Sequence, residues 1–163
     1  MNNKLNRNIS FFVIHDSKIW TNKVKKVEKI INSILNYKKY FINNKCKNYN
    51  ITFLLTNDNV LKKLNTVYRN KKKPTNVLTF TNSYEHKKNI MIKNIDIAIS
   101  GNKILLEANR LKVNFYDHLS HIIIHALLHS NGYMHDNSKN FQKMKKKEEF
   151  ILKRLNIANP YKY

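Results

Sequence analysis

His125-Ala126-Leu127-Leu128-His129-Ser130-Asn131-Gly132-Tyr133-Met134-His135 is the stretch on which the reading of this chain turns. On a helix, residues four apart lie one above the other, so His125 and His129 share a face. Gly132 can adopt the positive φ that ends a helix. The chain can then turn back and bring His135 to the same point. Three imidazoles converging from one side, with nothing supplied opposite, are the ligand set of a catalytic zinc site with an open position. The competing reading is a buried, histidine-rich helix face satisfied by backbone carbonyls. That would account for one such histidine, but not for a pair four apart followed by a glycine stop and a third.

Five of the seven histidines fall between His118 and His135. His118 and His121 lie on the same face as His125 and His129. They are assigned to the packing behind the site, because a catalytic zinc takes three protein ligands. The spacing H-x-x-x-H-x-x-G-x-x-H also occurs in the metzincin peptidases, glycine included. Those enzymes place a glutamate directly after the first histidine as general base, and here that position is Ala126. A metal cage without the peptidase base points to a substrate on which the metal does most of the chemistry. A metallopeptidase-like zinc hydrolase stays open as one alternative.

The 163 residues suffice for one domain with one core. Two glycines and two prolines leave little room for long floppy linkers. A net charge of +21 favours an anionic partner, nucleic acid first and anionic membrane second. AT-rich coding, which enriches Lys, Asn and Ile, accounts for the same total equally well. Cys46 is the single cysteine, so no internal disulfide forms. The apolar run Ile9 to Ile14 is too short for a signal-peptide core or a membrane span, which predicts a cytoplasmic protein with no membrane partner.

Ile9 to Ile14 reads as a strand, and Thr21 to about Tyr40 as an amphipathic helix carrying Val24, Val27, Ile31 and Ile34. Asn43 to Asn48 is a polar break. Tyr49 to Thr56 alternates as a second strand. Asp58 is the expected N-cap of a helix carrying Leu61, Leu64 and Val67. Val77 to Phe80 reads as a short strand, Ser83 to Asn89 as a polar turn region and Met91 to Ile99 as a further strand. A helix over Ile104 to Leu111 follows. Asn114, with Asp117 three residues on, caps the histidine-bearing helix, and a last helix spans about Ser138 to Leu155. Strands early and helices late predict an α+β fold, a single domain over 1–163.

Tyr68-Arg69-Asn70-Lys71-Lys72-Lys73-Pro74-Thr75-Asn76-Val77-Leu78-Thr79-Phe80 is the second informative stretch. An arginine kept in a lysine-dominated chain suggests a need for its planar fork, which suits bidentate phosphate contact. A solvated helix C-terminus also favours cations, and that suffices for Lys71 to Lys73 taken singly. No aromatic spacing announces a base-stacking platform.

With these motifs in order along the chain, the sequence resembles the YbeY family of bacterial endoribonucleases. Leu64-Asn65-x-x-Tyr68-Arg69 with Lys73-Pro74-Thr75-Asn76-Val77-Leu78-Thr79-Phe80 is similar to the family's first signature. Ile95-Asp96-Ile97-Ala98-Ile99-Ser100 and Glu107-Ala108 look like its next strand and helix. His125-x-x-Leu128-His129-x-x-Gly132-Tyr133-x-His135 looks like its metal signature, and Asn159-Pro160-Tyr161 like its ending. Ala126, Met134 and Ile95 stand where the family usually has Gly, Asp and Gly, and Ser130 and Asn131 replace apolar residues. Asp136 could compensate for Met134.

The resemblance implies a zincin-like α+β domain with a small mixed sheet. It implies one Zn2+ per chain on His125, His129 and His135, with Arg69 in the cleft on RNA phosphate. The implied activity is zinc-dependent cleavage of single-stranded RNA in ribosomal RNA maturation, at the 3′ end of the small-subunit 16S RNA, and in ribosome quality control. The implied partners are ribosomal RNA and the small subunit or its associated factors. Arg69 and His125 are then the expected catalytic residues, with His121 and Asp136 as candidates for proton handling. Arg69, Lys71 and Lys73 are the expected substrate contacts. Metal-activated water and the RNA 2′-OH both stay open as nucleophile. A non-catalytic zinc-containing ribosome or RNA-binding factor is the other alternative.

Overall fold

The computed structural model describes residues 8–42, 46–86 and 90–162. Its strands are β1 (Asn8–His15), β2 (Asn48–Thr56), β3 (Val77–His86) and β4 (Ile90–Ser100). Its helices are α1 (Val24–Leu35), α2 (Asp58–Arg69), α3 (Gly101–Leu111), α4 (Phe115–Ser130) and α5 (Ser138–Arg154). Short 3-10 turns at Lys18–Trp20 and Lys38–Tyr40 flank α1. The four strands make one mixed sheet in the order β1-β2-β4-β3. β1, β2 and β4 are parallel, with Phe11 beside Ile51 and Phe53 beside Ile97. β3 runs antiparallel to β4, with Thr79 beside Ile97, and forms an edge of the sheet.

Alternation along the strands sorts the sheet into two faces. Tyr49, Ile51, Phe53, Leu55, Ile95, Ile97 and Ile99 point to one face and are buried there against α1, α3, α4 and α5. On the other face Leu78 and Ala98 pack with Leu61 of α2, and Leu54, Leu64 and Phe80 lie against them. α4 buries Leu119, Ile122, Ile123, Ile124, Ala126, Leu127 and Leu128, apolar on nearly every side, and so occupies the centre of the helical layer. The histidines it carries are therefore mounted on the most constrained helix of the fold.

Several element boundaries differ from the sequence reading. The helix expected over Thr21 to Tyr40 is confined to Val24–Leu35, with a turn at 21–23 and a 3-10 helix at Lys38–Tyr40 taking up the flanks. The N-cap of α2 is Asn57, whose side chain accepts from the amides of Asn59 and Val60, and Asp58 is the first helical residue instead. β3 is ten residues long: Thr81 and Asn82 extend the expected strand, and Ser83 to His86 continue to pair with β4 where a turn region was expected. That exposed half of the strand lacks an apolar alternation, so only its ladder reveals it. Asn43 to Lys45 of the expected break and Lys87 to Asn89 of the expected turn lie outside the described residues. Asn114 does cap α4, its side chain accepting from the Tyr116 amide.

The start of α3 is set by a close approach. A Cβ on Gly101 would lie 2.6 Å from Ile19 Cγ2 and 2.9 Å from Trp20 Cε2. Trp20 is fully buried and its Nε1 donates to the Thr56 carbonyl at 2.8 Å, so it has nowhere to move. Gly101→Ala is therefore expected to destabilise the fold by about 1–3 kcal/mol through overpacking, read as a lower midpoint in denaturant titration. An unchanged midpoint would show that the Trp20 corner yields.

Candidate metal centre

α4 holds His118, His121, His125 and His129 in one row. After Ser130 the helix ends in a Schellman turn. Gly132 has φ +86°, its amide donates to the His129 carbonyl at 3.0 Å, and the Tyr133 amide donates to the Leu128 carbonyl at 3.2 Å. This turn carries the chain back over the helix end. His125, His129 and His135 each offer a ligand atom there, all within 4.8 Å of one another, so the three could hold a metal ion. The ring centroids of His125 and His129 are 4.5 Å apart, and those of His129 and His135 are 4.7 Å apart.

The helix end is held by its neighbours. Lys93, buried on β4, donates its ammonium to the Ser130 carbonyl at the α4 C-terminus. Ser130 Oγ and Asn131 Nδ2 both donate to the Leu127 carbonyl, at 2.7 and 3.0 Å. Ser130 Oγ and Asn131 Nδ2, on the two polar residues that stand where apolar ones were expected, are thus bonded locally, while the buried Asn131 Oδ1 has no partner among the described residues. Ile95 is a fully packed core residue of β4.

Glu148 of α5 lies behind the histidine row and is fully buried. Its carboxylate takes hydrogen bonds from His125 Nδ1 at 2.7 Å, from His121 Nε2 at 3.3 Å and from the Tyr161 hydroxyl. Burial pushes this carboxyl up, but the hydrogen bonds from His121, His125 and Tyr161 outweigh it and hold the group down at about 2. An ionised carboxylate only accepts, so His125 carries its proton on Nδ1 and keeps the Nε2 lone pair for a metal. Burial, and then repulsion from His125 and His135, lowers the metal-free His129 to about 4, leaving it neutral near pH 7. Three imidazoles, with the His125 tautomer fixed by Glu148, are a donor set suited to first-row divalent ions.

A second pair buttresses the same helix. Glu107 of α3 meets His118 Nε2 at 2.9 Å and accepts from Asn76 Nδ2 at 3.0 Å. Burial raises the Glu107 carboxyl, but these two hydrogen bonds bring it net below its usual range. Asn76 also gives its carbonyl to the Ser100 amide at 2.9 Å, fastening the start of β3.

The histidine cluster opens on a cleft of about 800 Å3, whose walls include Arg69, Asn76, Thr79, His129, Met134 and Asp136. Arg69 ends α2, is exposed, and has no ion pair among the described residues. Asn65, buried in α2, donates to the Lys73 carbonyl at 2.7 Å and ties down the loop after Arg69. Lys71 and Lys73 are exposed on that loop beside the cleft, not among the residues that line it. Asp136 lines the cleft, and Asn140 Nδ2 donates to it at 2.8 Å, the first of the contacts that keep its carboxyl below the usual range. His121 lines a separate cavity of about 230 Å3 with His118 and Pro160.

The structure therefore brings together His125, His129, His135, Arg69 and Asp136, and sets His121 behind them. Glu148, Tyr161 and Glu107 were missed as functional residues. One signal existed for Glu148: it follows Met144 by four residues and precedes Ile151 and Leu152 by three and four, a core position in a lysine-covered helix.

The whole arrangement can be set beside known proteins. The family model described as endoribonuclease YbeY matches residues 4–156. A protein named endoribonuclease YbeY from Pelagibacter ubique is 39% identical over 150 residues, covering 89% of this chain and 95% of its own. Another of that name from Neorickettsia sennetsu is 34% identical over 137 residues, covering 83% and 90%. The solution structure of TM1509 from Thermotoga maritima shares the fold with a TM-score of 0.56 at 21% identity, over 94% of this chain and 97% of that one.

Glu148→Gln removes the charge but keeps the size, and presents an amide donor to a histidine donor. Divalent-metal affinity, measured by competition with a chromophoric chelator, is expected to fall about 10–100-fold, with all three ligands intact. Unchanged affinity would mean that the carboxylate does not orient His125.

Proposed function

The chain belongs to the endoribonuclease YbeY family, and from that membership we propose that it cuts single-stranded RNA with a zinc ion held by His125, His129 and His135. The observation that carries the reading is the meeting of three imidazoles with Arg69 in one open cleft. The proposed architecture is a single zincin-like domain, with the histidine helix beside the edge strand β3. The proposed setting is the cytoplasm, the proposed substrate ribosomal RNA, and the proposed role its 3′ maturation on the small subunit and ribosome quality control. No helix among the described residues is long and apolar enough to cross a membrane.

Zinc bound there would supply Lewis-acid polarisation of a phosphoryl oxygen and a lowered pKa for nearby water. The residues do the rest. Glu148 holds the His125 ring in one orientation. Arg69, at the α2 terminus and without a carboxylate partner among the described residues, offers its fork to the scissile phosphate and to the charge that builds on it. Asp136, which accepts from Asn140 Nδ2, stands at the rim as the proposed proton-handling group. The charge of +21, with Lys71 and Lys73 near the cleft mouth, gathers the polyanion. The position directly after His125, where the metzincin peptidases carry their glutamate, holds the buried, apolar Ala126.

The test is cleavage of labelled single-stranded RNA by wild type, Arg69→Ala and His125→Ala, with metal content measured on the same samples. Wild type is expected to cleave, Arg69→Ala to keep its metal and lose at least 100-fold in rate (an effect of about 3 kcal/mol), and His125→Ala to lose both. Retained metal in His125→Ala would sink the ligand assignment. Metal-loaded wild type without cleavage would favour a binding factor. A second expected outcome concerns salt: RNA affinity should drop by about tenfold or more between 50 and 200 mM, read by fluorescence anisotropy, and a flat dependence would contradict the phosphate contacts.

A further inference from the structure

Charge and metal leave one part of the cleft unexplained. Tyr68 precedes Arg69 at the end of α2, lines the same cleft as the histidines, and is 64% exposed. Its ring centroid lies 4.8 Å from that of Phe80 on β3, with the planes at 58°. Phe80 in turn rests on the cluster of Leu61, Leu78 and Ala98. The pair is thus anchored from behind by the sheet and leaves most of the outer ring in water. Packing alone does not ask for this, since Phe80 already covers the cluster.

An exposed aromatic ring, braced by a second one and set beside an arginine in an open cleft, is what an unpaired base stacks on. We propose that Tyr68, supported by Phe80, forms a nucleobase subsite of the cleft. It takes one unpaired base of the strand whose phosphate meets Arg69. The inference rests on the RNA reading above and deepens it. Because Tyr68 and Arg69 are adjacent, base and phosphate are read from one rigid helix end, itself pinned by Asn65. In a duplex both faces of each base are already covered, so only a single strand can fill the subsite. Selectivity for unpaired RNA then comes from a ring, not from charge, which duplex and single strand share.

The experiment compares anisotropy titrations of metal-loaded wild type, Tyr68→Phe, Tyr68→Leu and Tyr68→Ala. Two labelled 2′-O-methyl strands of equal length are used, one with its bases and one abasic throughout. For the strand with bases, Tyr68→Ala and Tyr68→Leu are expected to bind about tenfold more weakly than wild type, and Tyr68→Phe to match it. For the abasic strand all four are expected to bind alike. Tyr68→Leu keeps apolar cover on Phe80, so it separates stacking from packing. Equal binding of wild type and Tyr68→Leu to the strand with bases would overturn the subsite. So would an equal loss on both strands, which marks a disturbed fold or lost charge. Metal-loaded wild type that binds neither strand would overturn the RNA reading itself.

Discussion

A fully buried carboxylate, Glu148, is the constraint around which the functional half of the molecule is arranged. An ionised group in such a place is tolerable only when its lone pairs are filled. His125, His121 and Tyr161 fill them. Those three partners come from α4 and from the C-terminal tail, so one charge ties α5, α4 and the chain end together. The same bond decides which nitrogen of His125 faces the cleft. Stability and metal chemistry thus share a single group, and a change at Glu148 is felt in both.

The cleft is the product of two helix ends and one strand edge. α4 ends in a glycine turn that folds His135 back beside His125 and His129. α2 ends with Arg69, its following loop tied back by Asn65. Between them runs β3, an edge strand of the sheet, with α4 packed beside it. Arg69 and His129 therefore sit at or next to the ends of α2 and α4, where the backbone is set by packing. Arginine suits this position better than lysine, because its fork is already planar and needs little ordering.

How far the sequence discloses this depends on distance along the chain. The histidine triad was legible because its members lie within one helical turn and one glycine stop of each other. Arg69 was legible as an odd residue in a lysine-rich chain. Glu148 and Tyr161 were not, because their role exists only when α5 packs on α4; the core spacing from Met144 to Leu152 was the single trace. Tyr68 and Phe80 look like scattered aromatics until α2 folds over β3. The far half of β3 escaped for a different reason. Thr81 to His86 are polar and exposed, and they are strand only through their ladder to β4. The exchange of Asp58 for Asn57 as N-cap is a one-residue matter that composition cannot settle, since both residues cap well.

The central claim is a three-histidine metal site with an open position. Zinc K-edge X-ray absorption on the metal-loaded protein tests it most directly. The account predicts one zinc per chain with three imidazoles at about 2.0–2.1 Å and oxygen completing the shell, and loss of that spectrum in His135→Ala. A sulfur scatterer, which could come only from Cys46 or a methionine, a fourth imidazole, or a spectrum untouched by His135→Ala would contradict it.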